Sequence, residues 1–125
     1  MAAVIVDRLR ELELQPTEQP IYDRPMGIRQ LYVDPKTGAE HYLVRYPRGL
    51  KGQRHRHTAA HTIIVLEGKL KANGHVVGPG SYCHFAAGEP MHHAPADNES
   101  CLFIIIFDGP FDLEPLETVI DAPTV

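Results

Sequence analysis

Residues 55–68 read His55-Arg56-His57-Thr58-Ala59-Ala60-His61-Thr62-Ile63-Ile64-Val65-Leu66-Glu67-Gly68, and the three imidazoles at their start decide how the rest of the chain is understood. On an extended strand, residues two apart project to the same face, roughly 6.5 Å apart along the backbone. His55 and His57 can therefore reach one ion together. Thr58-Ala59-Ala60 is short enough for a turn. His61 then opens an apolar strand on which His61, Ile63 and Val65 share a face, so the third imidazole points inward with the core. Several imidazoles on one inward face cost desolvation unless something coordinates them. A fourth ring, from His92 or His93, arrives about thirty residues later, a separation that suits a neighbouring strand reached after one hairpin. A histidine cluster that senses pH without metal is the rival. His41, His75 and His84 read as surface or hydrogen-bonded residues.

Upstream, Ile28–Val33 and Glu40–Tyr46 alternate with period two around the turn Asp34-Pro35-Lys36-Thr37-Gly38 and predict a hairpin. Downstream, Lys69–Ala72 and His75–Val77 flank the turn signal Asn73-Gly74. Ser81–Ala86 and the isoleucine- and phenylalanine-rich Cys101–Phe107 are further strands. Short strands punctuated by glycine turns predict an all-β sandwich or barrel rather than βαβ units. Before this region, Ala2–Leu14 carries a loosely helical spacing of Val4, Leu9 and Leu12, after which Pro16, Pro20 and Pro25 break regular structure. Three segments follow: an N-terminal extension over 1–26, a β-barrel over 27–112 and an irregular tail over 113–125.

The 125 residues suffice for one domain, and their 43% hydrophobic content can fill one core. A net charge of −4 leaves no basic footprint for nucleic acid or an anionic membrane surface. No apolar run approaches membrane-spanning length, and Asp7, Arg8 and Arg10 interrupt the apolar start in a way that does not suit a secretory signal. The expectation is a cytoplasmic protein whose two cysteines, Cys83 and Cys101, stay reduced as small buried hydrophobes.

Gly49, His55-x-His57, His61 and Gly68 resemble the first motif of the cupin superfamily at every step of its spacing, with His61 standing where that family usually has glutamate. Pro79-Gly80, Gly88 and then His92 or His93 resemble the second motif with one residue inserted. The shorter gap favours His92, and His93-Ala94-Pro95 resembles the His-x-Pro of one subgroup. The hairpin over 27–46 and the ending Phe107-Asp108-Gly109-Pro110 look like acetylacetone-dioxygenase-like cupins and the cupin domain of an anti-sigma factor. The resemblance implies a double-stranded β-helix (jelly-roll) barrel, dimeric, with a metal inside one end held by residues drawn from His55, His57, His61, His92 and His93.

Four neutral imidazoles leave the full charge of a divalent ion uncancelled. That arrangement favours an anionic small-molecule ligand, such as a carboxylate or enolate, and shifts metal preference from manganese toward iron, nickel, zinc, copper or cobalt. Tyr82 and His84 are expected on a strand lining the barrel, with Tyr46, Gln53 and Arg56 as pocket neighbours. No carboxylate is expected beside the metal, because Glu67 and Glu89 are turn residues. The expected function is a metal-dependent oxygenase acting on a small oxygen-rich substrate. A non-catalytic metal- or ligand-sensing domain is the first alternative. A sugar-type isomerase or epimerase, lacking its acid and base, is the second.

Overall fold

The computed structural model describes residues 3–116 of the chain. The part of the 113–125 tail beyond Leu116 lies outside the described residues. Among the described residues there are eleven strands: β1 (Gln15–Thr17), β2 (Met26–Val33), β3 (Glu40–Tyr46), β4 (His55–Arg56), β5 (His61–Glu67), β6 (Leu70–Ala72), β7 (His75–Val77), β8 (Tyr82–Phe85), β9 (His93–Pro95), β10 (Cys101–Phe107) and β11 (Glu114–Pro115). A six-stranded antiparallel sheet runs in the order β1-β2-β3-β10-β5-β8. Facing it are the three-stranded sheet β7-β6-β9 and the pair β11-β4, which backbone bonds between His55 and Met91 join to the segment leading into β9. This is the double-stranded β-helix barrel expected from the sequence.

The core lies between the two layers. In β5, His61, Ile63 and Val65 are buried while Thr62, Ile64 and Leu66 are less so, as alternation requires. Its partner β10 contributes Phe103, Ile105 and Phe107 to the same face, and β3 contributes Val44 and Tyr46. Gly68 ends β5 with φ +73°, and a Cβ there would lie 2.0 Å from the Ser100 carbonyl oxygen. The motif glycine is thus demanded by a backbone contact as well as by the turn.

Two expectations change. The helix expected within Ala2–Leu14 is only a 3-10 turn at Leu9–Glu11, with no buried residue and no side-chain cap. So short a segment without an apolar face to dock has no reason to stay helical. Pro16 does not exclude regular structure either: it lies in β1, an edge strand paired with β2, where a missing N–H is tolerated. No helix among the described residues is long and apolar enough to cross a membrane.

Candidate metal centre

Three separate strands deliver the imidazoles. His55 belongs to β4 and His57 follows directly, His61 opens β5 and His93 opens β9. All four are at most 5% exposed. Their ring centroids form a closed circuit, 4.9 Å from His55 to His57, 4.8 Å from His57 to His61, 6.0 Å from His61 to His93 and 5.4 Å from His93 to His55. A metal–nitrogen bond of about 2.1 Å places a coordinated imidazole centroid roughly 3.2 Å from the ion, so adjacent ligands have centroids roughly 4.5–5.5 Å apart. Three of the four separations fall in that range and the fourth just outside it. As the side chains stand, no group of three or more His, Cys, Asp or Glu among the described residues forms a finished metal-holding set. The rings are assembled, and closing their nitrogens on an ion is left to side-chain rotation, for which histidine χ2 is a soft torsion.

Hydrogen bonding decides which nitrogen each ring has to offer. His55 Nδ1–H donates to the Gln53 carbonyl at 3.0 Å, and His57 Nδ1–H donates to the Asp112 carbonyl. Carbonyls only accept, so both rings carry their proton on Nδ1 and turn an Nε2 lone pair elsewhere. His93 Nδ1 lies 2.6 Å from the Tyr46 hydroxyl. The Nε2 atoms of His55, His61 and His93 are buried without a protein partner, as is His61 Nδ1. Phe85 and Phe107 pack on the His61 ring at 4.9 and 5.0 Å, and neither of its nitrogens has a hydrogen-bond partner. Each unmet buried nitrogen costs about 1–3 kcal/mol, and an ion at the centre would answer several at once.

Electrostatics agree with a ligand role. Burial, followed by the neighbouring imidazoles, pushes His55 down to about 4, His61 down to about 3 and His93 well below the usual histidine range. His57 is lowered by burial against the opposing pull of its Asp112 hydrogen bond. All four are neutral at pH 7, the state that metal ligation requires.

His92 is half-buried, and its main chain bonds Asn73 in both directions. Of the two adjacent candidates, His93 is the one whose ring joins the circuit. Tyr82 and His84 do not line the barrel. In the β5–β8 register, Cys83 and Phe85 stand opposite Ile63 and His61, so Tyr82 and His84 face outward and Tyr82 is 68% exposed. Arg56 also faces out, paired with Glu114 at 3.2 Å, whereas Gln53 contributes its carbonyl and Tyr46 its hydroxyl. Glu67 is held by Arg10 and Arg45, each at 3.0 Å, at the far end of β5 from His61.

Beside the circuit lies a cavity of about 230 Å³, walled by Met26, Val44, Phe103, Phe107 and Leu113, with His55, His57, Tyr22, Tyr46, Tyr42, Thr17 and Gln19 as polar members and no Asp, Glu, Lys or Arg in its lining. Tyr22 was not singled out from the sequence. The signal was Ile21-Tyr22 between two prolines, and Ile21 proves fully buried.

A family model described as the ChrR cupin-like domain matches residues 9–112. No curated protein sequence matches the chain. Among solved structures, a cupin-like protein from Thermotoga maritima superposes with TM-score 0.75 at 19% identity, over 88% of this chain and 90% of that one. The polyketide cyclase RemF from Streptomyces resistomycificus gives 0.75 at 20%, over 97% and 89%. An acetylacetone dioxygenase from Acinetobacter johnsonii gives 0.70 at 16%, over 95% and 84%. At these identities the likeness is one of fold.

Proposed function

The chain belongs to the ChrR cupin-like domain family, and from that premise we propose that it is a metal-dependent oxygenase of small, oxygen-bearing organic molecules. The observation that carries the proposal is the circuit of four buried neutral imidazoles, three of them with an unpartnered Nε2, at the wall of an apolar cavity. His55, His57, His61 and His93 would hold a divalent ion such as iron, nickel, zinc, copper or cobalt. When bound, the ion supplies Lewis acidity toward a substrate oxygen and, in a redox-active case, the electron chemistry that dioxygen requires. The chain's own part is to fix the ring tautomers through Gln53 and Asp112, exclude water with Phe103 and Phe107, and orient the substrate. Residues 27–112 supply most of the barrel, β1 of the 1–26 extension and β11 of the tail add short edge strands to its sheets, and Thr17, Gln19 and Tyr22 of the extension complete the cavity. A cytoplasmic homodimer completes the proposal, and light scattering checks the mass.

Anaerobic loading with ferrous ion, followed by oxygen-uptake assays over a panel of diketones and phenols, tests the activity. Uptake with at least one diketone is expected. Absence of turnover with every redox metal would leave the second reading, a non-catalytic cupin closed by zinc. That reading draws support from the number of imidazoles, since four protein ligands can complete a tetrahedral site. Isomerase chemistry lacks support because no carboxylate lines the cavity.

A further inference from the structure

The Tyr22 and Tyr46 hydroxyls are 2.5 Å apart, and His93 Nδ1 lies 2.6 Å from Tyr46 and 3.5 Å from Tyr22. These are the hydrogen bonds of both hydroxyls among the described residues, and both tyrosines line the cavity. Gly52 holds the arrangement in place. A Cβ there would meet the Tyr22 ring at 2.7 Å, and a backbone bridge ties Gly52 to Tyr22.

Counting protons along this chain gives a result that does not depend on how the hydroxyls rotate. If the His93 proton sits on Nε2, Tyr22 donates to Tyr46 and Tyr46 donates to Nδ1. Every hydroxyl proton is then used, but a buried N–H is left without an acceptor. If Nε2 instead offers its lone pair to an ion, Nδ1 must carry the proton and donate it to Tyr46. Two hydroxyl protons then remain, with a single oxygen–oxygen contact to share. One donor is surplus. When Tyr46, accepting from the ring, donates onward to Tyr22, the direction in which each hydrogen bond polarises the next, the unspent proton lies on Tyr22 at the end of the chain.

We propose that Tyr22 is the oxygen-recognition residue of the cavity, donating this surplus proton as a hydrogen bond to an acceptor oxygen of the bound molecule. The inference rests on His93 being a metal ligand through Nε2. It narrows the ligand class to compact, mostly apolar molecules bearing a carbonyl, enolate or phenolate oxygen. The lining has no Lys or Arg, and of its other neutral donors the Thr17 and Tyr42 hydroxyls are already spent on the Gln15 carbonyl and the Glu40 carboxylate, which leaves the Gln19 amide as a second donor beside Tyr22 and the ion. It also makes the cavity's hydrogen-bonding character depend on metal loading. The chain is self-satisfied when the proton is on Nε2 and has a donor to give when it is on Nδ1.

The test uses zinc-loaded full-length protein, which is redox-silent, with pentane-2,4-dione as the oxygen-bearing probe and toluene as the apolar one, both followed by calorimetry. In Tyr22→Phe, zinc content should match the parent, the melting temperature should fall only by the few degrees that the lost Tyr46 hydrogen bond costs, toluene should bind within twofold, and the diketone should bind roughly ten- to a hundredfold more weakly, the loss expected for one hydrogen bond to a charged oxygen. Site-specific 3-fluorotyrosine at position 22, a stronger donor, should tighten the diketone. Diketone affinity unchanged in both variants overturns the inference while leaving the metal site standing. Loss of zinc from Tyr22→Phe also overturns it, by assigning the residue to support of His93. A parent that takes up no zinc removes the metal reading itself, and the inference with it.

Discussion

At the scale of single residues, the four imidazoles should behave as one unit. Each has been stripped of water, and none can be removed without leaving the others short of a partner for their lone pairs. Metal analysis of protein purified without added ions should give near-stoichiometric content in the parent, with His57→Ala and His93→Ala each losing most of it. His92→Ala should retain it, which makes the adjacent pair its own control. Tyr46→Phe removes the main acceptor of His93 Nδ1–H and should weaken metal affinity about 10- to 100-fold, as is usual for groups that orient a ligand. The pH response follows from the depressed pKa values. The unfolded chain binds protons near 6.5 while folded His55 and His61 resist until about 4 and about 3. Stability of the metal-free protein is therefore full above 6.5 and is lost as pH falls, by up to about 1.4 kcal/mol per pH unit for each such group. Melting temperatures recorded from pH 7 to pH 4 should drop accordingly, and a flat profile would mean that the rings take up protons freely when folded. The grouping of His55, His57 and His61 was legible from the sequence because a two-residue spacing followed by a short turn brings the three to one side. The choice between His92 and His93 was not, because the one-residue insertion makes loop length an unsafe guide to strand phase.

At the scale of elements, strands bounded by clear turn signals were legible, the exposed β7 included, whereas β1 and β11 in the proline-containing flanks were not. β3 and β10 have the limits expected from their apolar pattern, and β5 extends one residue further, to Glu67. The phase of β8 was misjudged because Tyr82, Cys83, His84 and Phe85 offer a plausible aromatic on either face, and only pairing with β5 decides between them. Gly68→Ala should destabilise the protein by roughly 2 kcal/mol or more, since the site combines positive φ with a carbonyl at 2.0 Å from the added carbon. Urea denaturation measures this directly. Phe103→Ala, which empties a fully buried position on β10 beside both the core and the cavity, should cost about 3–5 kcal/mol in the same assay.

At the scale of the whole molecule, the imidazole circuit joins strands from both layers of the barrel. β5 belongs to the six-stranded sheet, whereas β4 and β9 belong to the opposing side. An ion held between them acts as a cross-link that only the folded state can make, so its removal should be felt globally. At free metal a thousandfold above the dissociation constant the linkage is worth about 4 kcal/mol. Treatment with a chelator should lower the melting temperature by several degrees, and a melting curve indifferent to the chelator would place the ion, if any, outside this junction. The barrel itself was readable from turn spacing. The cavity was not, because Thr17, Gln19, Tyr22 and Leu113 come from flanking segments whose sequence carries no periodic signal.

That origin of the walls has an evolutionary corollary. The histidines ride on the frame of paired strands, but part of the surface a guest would touch comes from the two flanks, and Asp112, where the barrel meets the C-terminal flank, grips His57 through its main chain. Exchanging those flanks between homologues, with the strand framework untouched, should transplant guest preference as a module, and the Asp112 carbonyl would let the incoming flank retune the ion as it does so.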